Sequence, residues 1–397
     1  MAHDARGTPL VSPAPALTPG EVHRYSRHLL IPDVGVVGQR RLRAAKVLVV
    51  GAGGLGSPAA LYLAAAGIGT IGLLDFDVVD ESNQQRQVIH GEKDVGRPKV
   101  ESARDAVGEV NAGVEVVVHR ERLDASNALD ILEAYDLVVD GTDNFATRYL
   151  INDACVLLHK PYVWASIFRF DGQLSVFWAD RGPCYRCLYP EPPPPGMVPS
   201  CAEGGVLGAL CGVLGSMQVV EAVKLIVGFG EPLIGRLVVH DALSPSTRVL
   251  RFDKDPRCAA CGPEPTVTSL QDYEDFCGVR ARPVPAESTI SARELAVMLE
   301  RREGGEGDFV LIDVREPAER DIVAVPGSVA LPMGRFRTGS ALADLPHDRP
   351  VVLLCKSGVR SAEALALLHD AGHLGARHVE GGVLAWVSDV DPSLPAY

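Results

Sequence analysis

The sequence predicts an α/β protein of two domains, a Rossmann-like doubly wound domain followed by a smaller α/β domain. Three observations carry that expectation. At 397 residues the chain exceeds what one typical hydrophobic core serves. Residues 46–77 read as a strand, a glycine turn, a helix and a second strand. After a stretch rich in Pro, Glu and Asp, strands and helices resume around a cysteine loop at 355–361.

Residues 1–20, rich in Ala, Pro and Thr, are expected to form a disordered tail, and they lack the basic start and apolar stretch of a signal peptide. Glu21–Leu30 has a helical pattern that includes Arg24 and Arg27. Lys46–Val50 is a short β-branched run that leads into Gly51, Gly53, Gly54 and Gly56. Without Cβ atoms the backbone there can approach an anion, and the N–H groups at the helix start point towards it. Ser57-Pro58 opens the helix, since a proline in the first turn loses no hydrogen bond. The strand Thr70–Phe76 then delivers Asp75, a carboxylate placed to take a pair of ribose hydroxyls. This order of elements specifies a nucleotide site and leaves the nucleotide open.

The loop Ser82–Gln87 follows just beyond the strand ends, the ligand-bearing edge of a doubly wound sheet, where Arg86 can reach a phosphate. Gly96-Arg97-Pro98-Lys99 begins another helix. A cation in the first turn opposes the helix dipole, so Lys99 is either compensated by an anionic ligand or is a solvated surface lysine. Val114–His119 and Leu137–Asp140 read as strands, the second ending in Gly141-Thr142-Asp143-Asn144. In the usual strand order the fourth strand neighbours the first, which brings Asp143 across the crevice from the glycine turn. A carboxylate facing a triphosphate calls for a cation between them, and magnesium binds in that way. Arg148 lies one helical turn further on.

Strands Tyr162–Phe168 and Gln173–Trp178 lead to Cys184 and Cys187, and strands Leu237–Asp241 and Arg248–Phe252 lead to Cys258 and Cys261. Two CxxC knuckles supply the four thiolates of a closed, structural zinc site. Two separate redox pairs are the alternative, but the thioredoxin-like context is missing. Between the knuckles lie Pro190–Pro199 and then Cys201, expected on a mobile loop near the start of a helix from Val206. Cys201 is there either an activated thiol or a small buried hydrophobe. Cys155 and Cys211 fall on apolar helix faces and read as buried, and Cys277 falls in the linker.

Residues 266–286 read as that linker, and 287–397 as the second domain. Its predicted elements are the helix Ser291–Arg302, strands Phe309–Val314 and Pro350–Leu354, the helix Ser361–Ala371 and a closing GGVLAW. At its centre, Cys355-Lys356-Ser357-Gly358-Val359-Arg360-Ser361 curls N–H groups toward the cysteine sulfur, and with Lys356, Arg360 and the helix dipole it favours a thiolate or persulfide anion. Phosphatase loops have Cys-x5-Arg. Here four residues separate Cys355 from Arg360, and the tighter loop suits sulfur.

Composition narrows the function further. A net charge of −13 with no basic stripe argues against nucleic acid or an anionic membrane as the main partner. The most membrane-like stretch, Val206–Val227, carries Glu221, Lys224 and three glycines, which favours a buried core helix. Nine cysteines without a secretion signal point to reduced thiols, metal or catalysis in the cytoplasm.

In these residues the chain resembles the MoeB/ThiF branch of the ubiquitin-activating (E1-like) family fused to a C-terminal rhodanese domain, the molybdopterin synthase sulfurylase type. The marks are YSRHL at 25–29, GAGGLG, DFD at 75–77, NQQRQ, GRPK at 96–99, TDNFATR at 142–148, both cysteine pairs, SCAEGGVLG and CKSGVRS. The resemblance implies an E1-type adenylation domain over 21–265 and a rhodanese domain over 287–397. It implies ATP as the nucleotide, held by Gly53, Gly54, Asp75, Asp77, Ser82, Asn83, Arg86, Lys99, Asp143, Asn144 and Arg148. Magnesium would sit on Asp143, with Arg27 lent by the partner subunit of a homodimer. The implied reaction is adenylation of the C-terminal Gly-Gly of a small ubiquitin-like sulfur carrier protein. Sulfur transfer from a persulfide on Cys355 then gives a thiocarboxylate. Cys201 would resolve the acyl persulfide or trap the acyl group, and a cysteine desulfurase or thiosulfate would supply sulfur. An NAD-dependent oxidoreductase fused to a sulfurtransferase also explains the glycine turn and Asp75, but leaves Arg86, Lys99 and Asp143 without a role. A non-catalytic scaffold is a further alternative.

Overall fold

The computed structural model describes residues 7–193, 204–244, 246–277, 284–346 and 349–397, and the chain divides near residue 278 into two compact units. The first is organised on an eight-stranded sheet. In chain order its strands are β1 (Lys46–Val50), β2 (Thr70–Leu74), β3 (Glu115–His119), β4 (Leu137–Asp140), β5 (Tyr162–Phe168), β6 (Asp171–Phe177), β7 (Arg236–Asp241) and β8 (Ser246–Arg251). They lie in the order β3-β2-β1-β4-β5-β6-β7-β8, parallel through β5 and antiparallel beyond it. Strand side chains alternate between faces, so each parallel strand feeds two cores. Val47, Val49, Ile71 and Leu73 pack with the helices Gly56–Ala66, Lys99–Val110 and Gly208–Val227, while Leu48, Val50, Leu74 and Val138 pack with the helix Phe145–Leu157. Pairing Val50 with both Leu74 and Asp140 ends β1, β2 and β4 at one level, which is where the crevice opens.

Two expectations need correction. Residues 7–18 form an ordered strap where a disordered tail was expected. Leu10 donates its N–H to the Leu225 carbonyl at 3.0 Å, and Leu10 and Val11 pack on the core. The prolines fix φ and leave carbonyls without a neighbouring N–H to pair with, and Arg40 and Arg43 donate to those of Ala14, Pro15 and Ala16. Likewise residues 266–277 are not a free linker. Thr266 and Val267 donate to the Ala259 carbonyl, and Tyr273 and Cys277 are buried in the core beside the helix Phe145–Leu157. Two aromatic anchors hold this otherwise aperiodic stretch, the Tyr273 hydroxyl at 2.7 Å from Asp153 and the Phe276 ring edge-on to Tyr149.

Gly208–Val227 is long and apolar enough to cross a membrane. Leu210, Leu214, Ala222, Leu225 and Ile226 are buried against the sheet, so it serves as the core helix the sequence suggested.

The second unit is a five-stranded parallel sheet of β9 (Thr289–Ile290), β10 (Val310–Asp313), β11 (Ser328–Ala330), β12 (Val351–Leu354) and β13 (Arg377–Val379), ordered β11-β10-β12-β13-β9. The helices Ala292–Glu303 and Gly382–Asp389 join one core and Val359–Asp370 joins the other. β9, β11 and β13 went unrecognised in the sequence because two or three residues are too few to display a period of two.

Candidate functional site

The crevice at the β1, β2 and β4 ends is built first by close backbone approach. Gly51 has φ +90°, and a Cβ on Gly56 would lie 1.8 Å from the Gly51 carbonyl oxygen, so the turn closes only with glycine. Across the crevice the Gly141 carbonyl comes within 3.1 Å of where a Gly51 Cβ would be, joining the glycine turn to the loop after β4. Asp75 ties this turn down, accepting the Ala52 N–H at 2.8 Å on one oxygen and the Asp77 N–H at 2.8 Å on the other. Asp140, fully buried at the end of β4, accepts from the Thr142 N–H and hydroxyl and so holds the loop that presents Asp143. Burial raises the Asp140 carboxyl to about 6 against the pull of Arg148.

Lys99 is 5% exposed and its Nζ stands 3.0 Å from the Asp77 carboxylate, so the solvated-lysine alternative does not hold. Gly53, Gly54, Asp75, Asp77, Arg86, Lys99, Asp143, Asn144 and Arg148 all line one cleft. Ser82 and Asn83 stand outside that lining, on the loop before Arg86, and Ser82 instead donates to Asp80. Arg86 reaches back to the Ser82 carbonyl at 3.2 Å. Asn144 caps the helix Phe145–Leu157 by accepting the Thr147 N–H at 2.9 Å. Arg27 is exposed on the short helix Ser26–Leu29 and does not line the cleft, and Cys201 falls outside the described residues. Sequence reading passed over Phe76, Gln87, Arg122, Thr142 and Thr147, which also line the cleft. Gln87 could have been found as the neighbour of Arg86 in NQQRQ. Arg122, which lies over the Phe76 ring at 4.6 Å, had no local signal.

Cys184, Cys187, Cys258 and Cys261 bring their sulfurs within 4.8 Å of one another. The spacings of 3.5 Å for Cys184–Cys258, 3.4 Å for Cys187–Cys261 and 3.9 Å for Cys184–Cys187 are too long for a disulfide. They approach the edge of about 3.8 Å that a tetrahedron with Zn–S bonds of about 2.3 Å requires. The donor set therefore fits zinc, closed on all four sides. A buried ion pair anchors the first knuckle: Arg186 donates to both oxygens of Asp153 at 2.8 and 2.7 Å, and the Asn152 side chain accepts the Tyr185 N–H. Cys258→Ser is expected to lower the zinc content and to drop Tm by at least about 5 °C, read by metal analysis and thermal unfolding.

In the second unit Cys355 follows β12 and is fully buried. Its sulfur receives the Gly358 N–H at 3.1 Å, and the Ser361 hydroxyl lies 3.4 Å from it and 3.0 Å from the Gly358 carbonyl, between which its one proton is shared. The Cys355 and Lys356 carbonyls are held by the N–H groups of Val383 and Leu384, so the closing GGVLAW clamps the loop from behind. Arg360 was expected to favour an anionic sulfur, but its guanidinium is bonded to both Glu319 oxygens at 2.7 and 2.6 Å, because a buried cation needs a counter-ion. Ser361, which the sequence did not single out, is the side chain on the sulfur. Tyr397 donates to Glu319 at 2.9 Å, and the Lys356 ammonium lies 4.5 Å from the Tyr397 ring centre. Burial alone would raise the Glu319 carboxyl, yet Arg360 outweighs it and holds the carboxyl below its ordinary 4.5. A carboxylate depressed in the folded state adds stability that is complete above its unfolded pKa and is lost as pH falls. Thermal unfolding from about pH 6 to about pH 3 should show an acid-side loss that Glu319→Gln flattens.

The chain is similar to known families, curated proteins and solved structures. The ThiF family model matches residues 25–260 and the rhodanese-like domain model residues 292–389. The chain is 56% identical over 396 residues to the probable adenylyltransferase/sulfurtransferase MoeZ of Mycobacterium tuberculosis, covering 98% of each. It is 44% identical over 422 residues to the adenylyltransferase and sulfurtransferase MOCS3 of Bos taurus, covering 99% of this chain and 92% of that one. Among solved structures, E. coli MccB with MccA-N7isoASN shares the fold at TM-score 0.55 and 24% identity, over 61% of this chain and 74% of that one.

Proposed function

The chain belongs to the ThiF family and carries a rhodanese-like domain behind it, and from that premise we propose how its two sites activate a ubiquitin-like sulfur carrier with ATP and pass sulfur to it. The oxidoreductase alternative finds no support among the relatives. In the first step a carboxylate oxygen of the carrier's C-terminal Gly-Gly attacks the α-phosphorus of ATP, and pyrophosphate leaves. The gathering of glycine turn, Lys99, Arg86 and Asp143 in one cleft carries this reading. The turn's N–H groups and the two cations oppose charge on the phosphates, and Asp75 takes the ribose hydroxyls. Asp143, exposed at the cleft, would hold magnesium together with phosphate oxygens, and that ion supplies charge neutralisation. Arg27 is assigned to the neighbouring cleft of a homodimer.

In the second step a persulfide on Cys355, loaded by thiosulfate or a cysteine desulfurase, attacks the acyl carbon and AMP leaves. The Gly358 N–H and Ser361 hydroxyl support the sulfur as charge shifts onto and off it. Cys201 is assigned either to break the resulting S–S bond, leaving a thiocarboxylate and a Cys201–Cys355 disulfide, or to trap the acyl group as a thioester. The zinc tetrad has no open position and would act as a fold clamp. Thiol chemistry of this kind fits the cytoplasm. Incubation with ATP, thiosulfate and a Gly-Gly carrier tests the reading: the carrier's mass should rise by the exchange of one oxygen for sulfur. A carrier left unchanged while nicotinamide is reduced would overturn it.

A further inference from the structure

His90 is 5% exposed and belongs to none of the residues placed above in either site. Its Nε2 lies 2.9 Å from the Ala52 carbonyl, within the glycine turn, and its Nδ1 lies 2.9 Å from the Ser102 hydroxyl on the helix that begins with Lys99. A carbonyl only accepts, so the proton sits on Nε2, and Nδ1 is left as an acceptor facing the Ser102 hydroxyl, which it shares with the Asp94 carboxylate. Burial, aided by Lys99, lowers the His90 pKa below its ordinary value and keeps that neutral form. Ala52 is thus gripped from both ends, its N–H by Asp75 and its carbonyl by His90.

The consequence follows from the planarity of the next peptide. All peptides in the described structure are trans, and in a trans peptide the C=O and the following N–H point in opposite directions. Drawing the Ala52 carbonyl back onto His90 turns the Gly53 N–H away from His90. Gly53 lines the cleft and His90 does not. Without that grip the Ala52–Gly53 peptide could rotate at little cost, since Gly53 has no Cβ to resist. We propose that His90 is a positioning residue that aims the Gly53 N–H at a nucleotide phosphate, and that through Ser102 it couples the glycine turn to the helix bearing Lys99. The inference rests on the reading of this cleft as the ATP site.

The test compares His90→Ala, His90→Gln and Ser102→Ala in the full chain, measuring carrier-dependent exchange of pyrophosphate into ATP and direct binding of ATP and of adenosine. His90→Ala should raise the KM and Kd for ATP about tenfold with kcat nearly unchanged, while adenosine binds as before. Glutamine, whose amide can donate to the Ala52 carbonyl, should recover most of that loss, and Ser102→Ala should weaken ATP about threefold by freeing the tautomer. Loss of ATP and adenosine affinity together would mark a merely structural role and overturn the proposal. So would an unchanged KM in His90→Ala. Should His90→Ala fail to fold, His90→Gln against Ser102→Ala gives the same reading: equal ATP affinities with no change from wild type would overturn it. Failure of the wild-type chain to bind ATP at all would instead overturn the assignment of the cleft.

Discussion

Asp143→Asn and, separately, Lys99→Ala are expected to lower carrier-dependent pyrophosphate exchange by roughly 10²–10³-fold while leaving transfer of sulfur from thiosulfate to cyanide unchanged. The size follows from what each group faces. Lys99 is an almost fully buried cation, 3.0 Å from Asp77, at the first turn of a helix whose dipole disfavours it. Asp77 offsets that charge on one side, and phosphate oxygens in the cleft would meet it on the other, so most of its effect should fall on the charge developing at the pyrophosphate. Asp143 is exposed, on a loop that Asp140 and the Asn144 cap hold in place, and asparagine preserves the shape while removing the anion that would attract magnesium. Raising the magnesium concentration should partly restore Asp143→Asn and do nothing for Lys99→Ala. Carrier adenylation at wild-type rate in both variants would leave the cleft a mere structural relic of the fold.

How far the sequence discloses this site depends on the reach of each interaction. The glycine turn, Asp75 and the Cys355 loop are legible because their residues adjoin the strand ends that aim them, and local pattern carries that information. The four-cysteine cluster is legible despite the long gap between its knuckles, because each CxxC pair is itself a local signal. Phe76–Arg122, Arg186–Asp153 and Arg360–Glu319 were not legible, since each pair joins segments that only the folded sheet brings together. His90 was hidden for the same reason: nothing near it in the chain announces that the Ala52 carbonyl lies at its Nε2. The strap at 7–18 was misread because proline-rich composition describes a chain's stiffness, while the arginines that capture its carbonyls lie in a later helix.

Cys355→Ala is expected to abolish thiocarboxylate formation and leave pyrophosphate exchange unchanged, so that carrier adenylate accumulates. Six of the other seven described cysteines are poor substitutes, and the seventh, Cys211, is buried on the core helix Gly208–Val227 at the lining of the cleft. Cys155 is buried with its thiol pushed well up by burial, Cys277 is raised to about 11 for the same reason, and four more lie together in a cluster fit to hold a metal. Cys355 differs in having a backbone N–H on its sulfur and a hydroxyl beside it that can turn from the Gly358 carbonyl towards an anionic sulfur. Ser361→Ala therefore gives a graded counterpart: it removes one donor, keeps the fold, and should slow sulfur loading about tenfold without touching adenylation. A full loss in Cys355→Ala with no change in Ser361→Ala would confine stabilisation of the sulfur to the loop backbone. Sulfur loading that survives Cys355→Ala would move the persulfide to another thiol altogether, with Cys201 the first to examine.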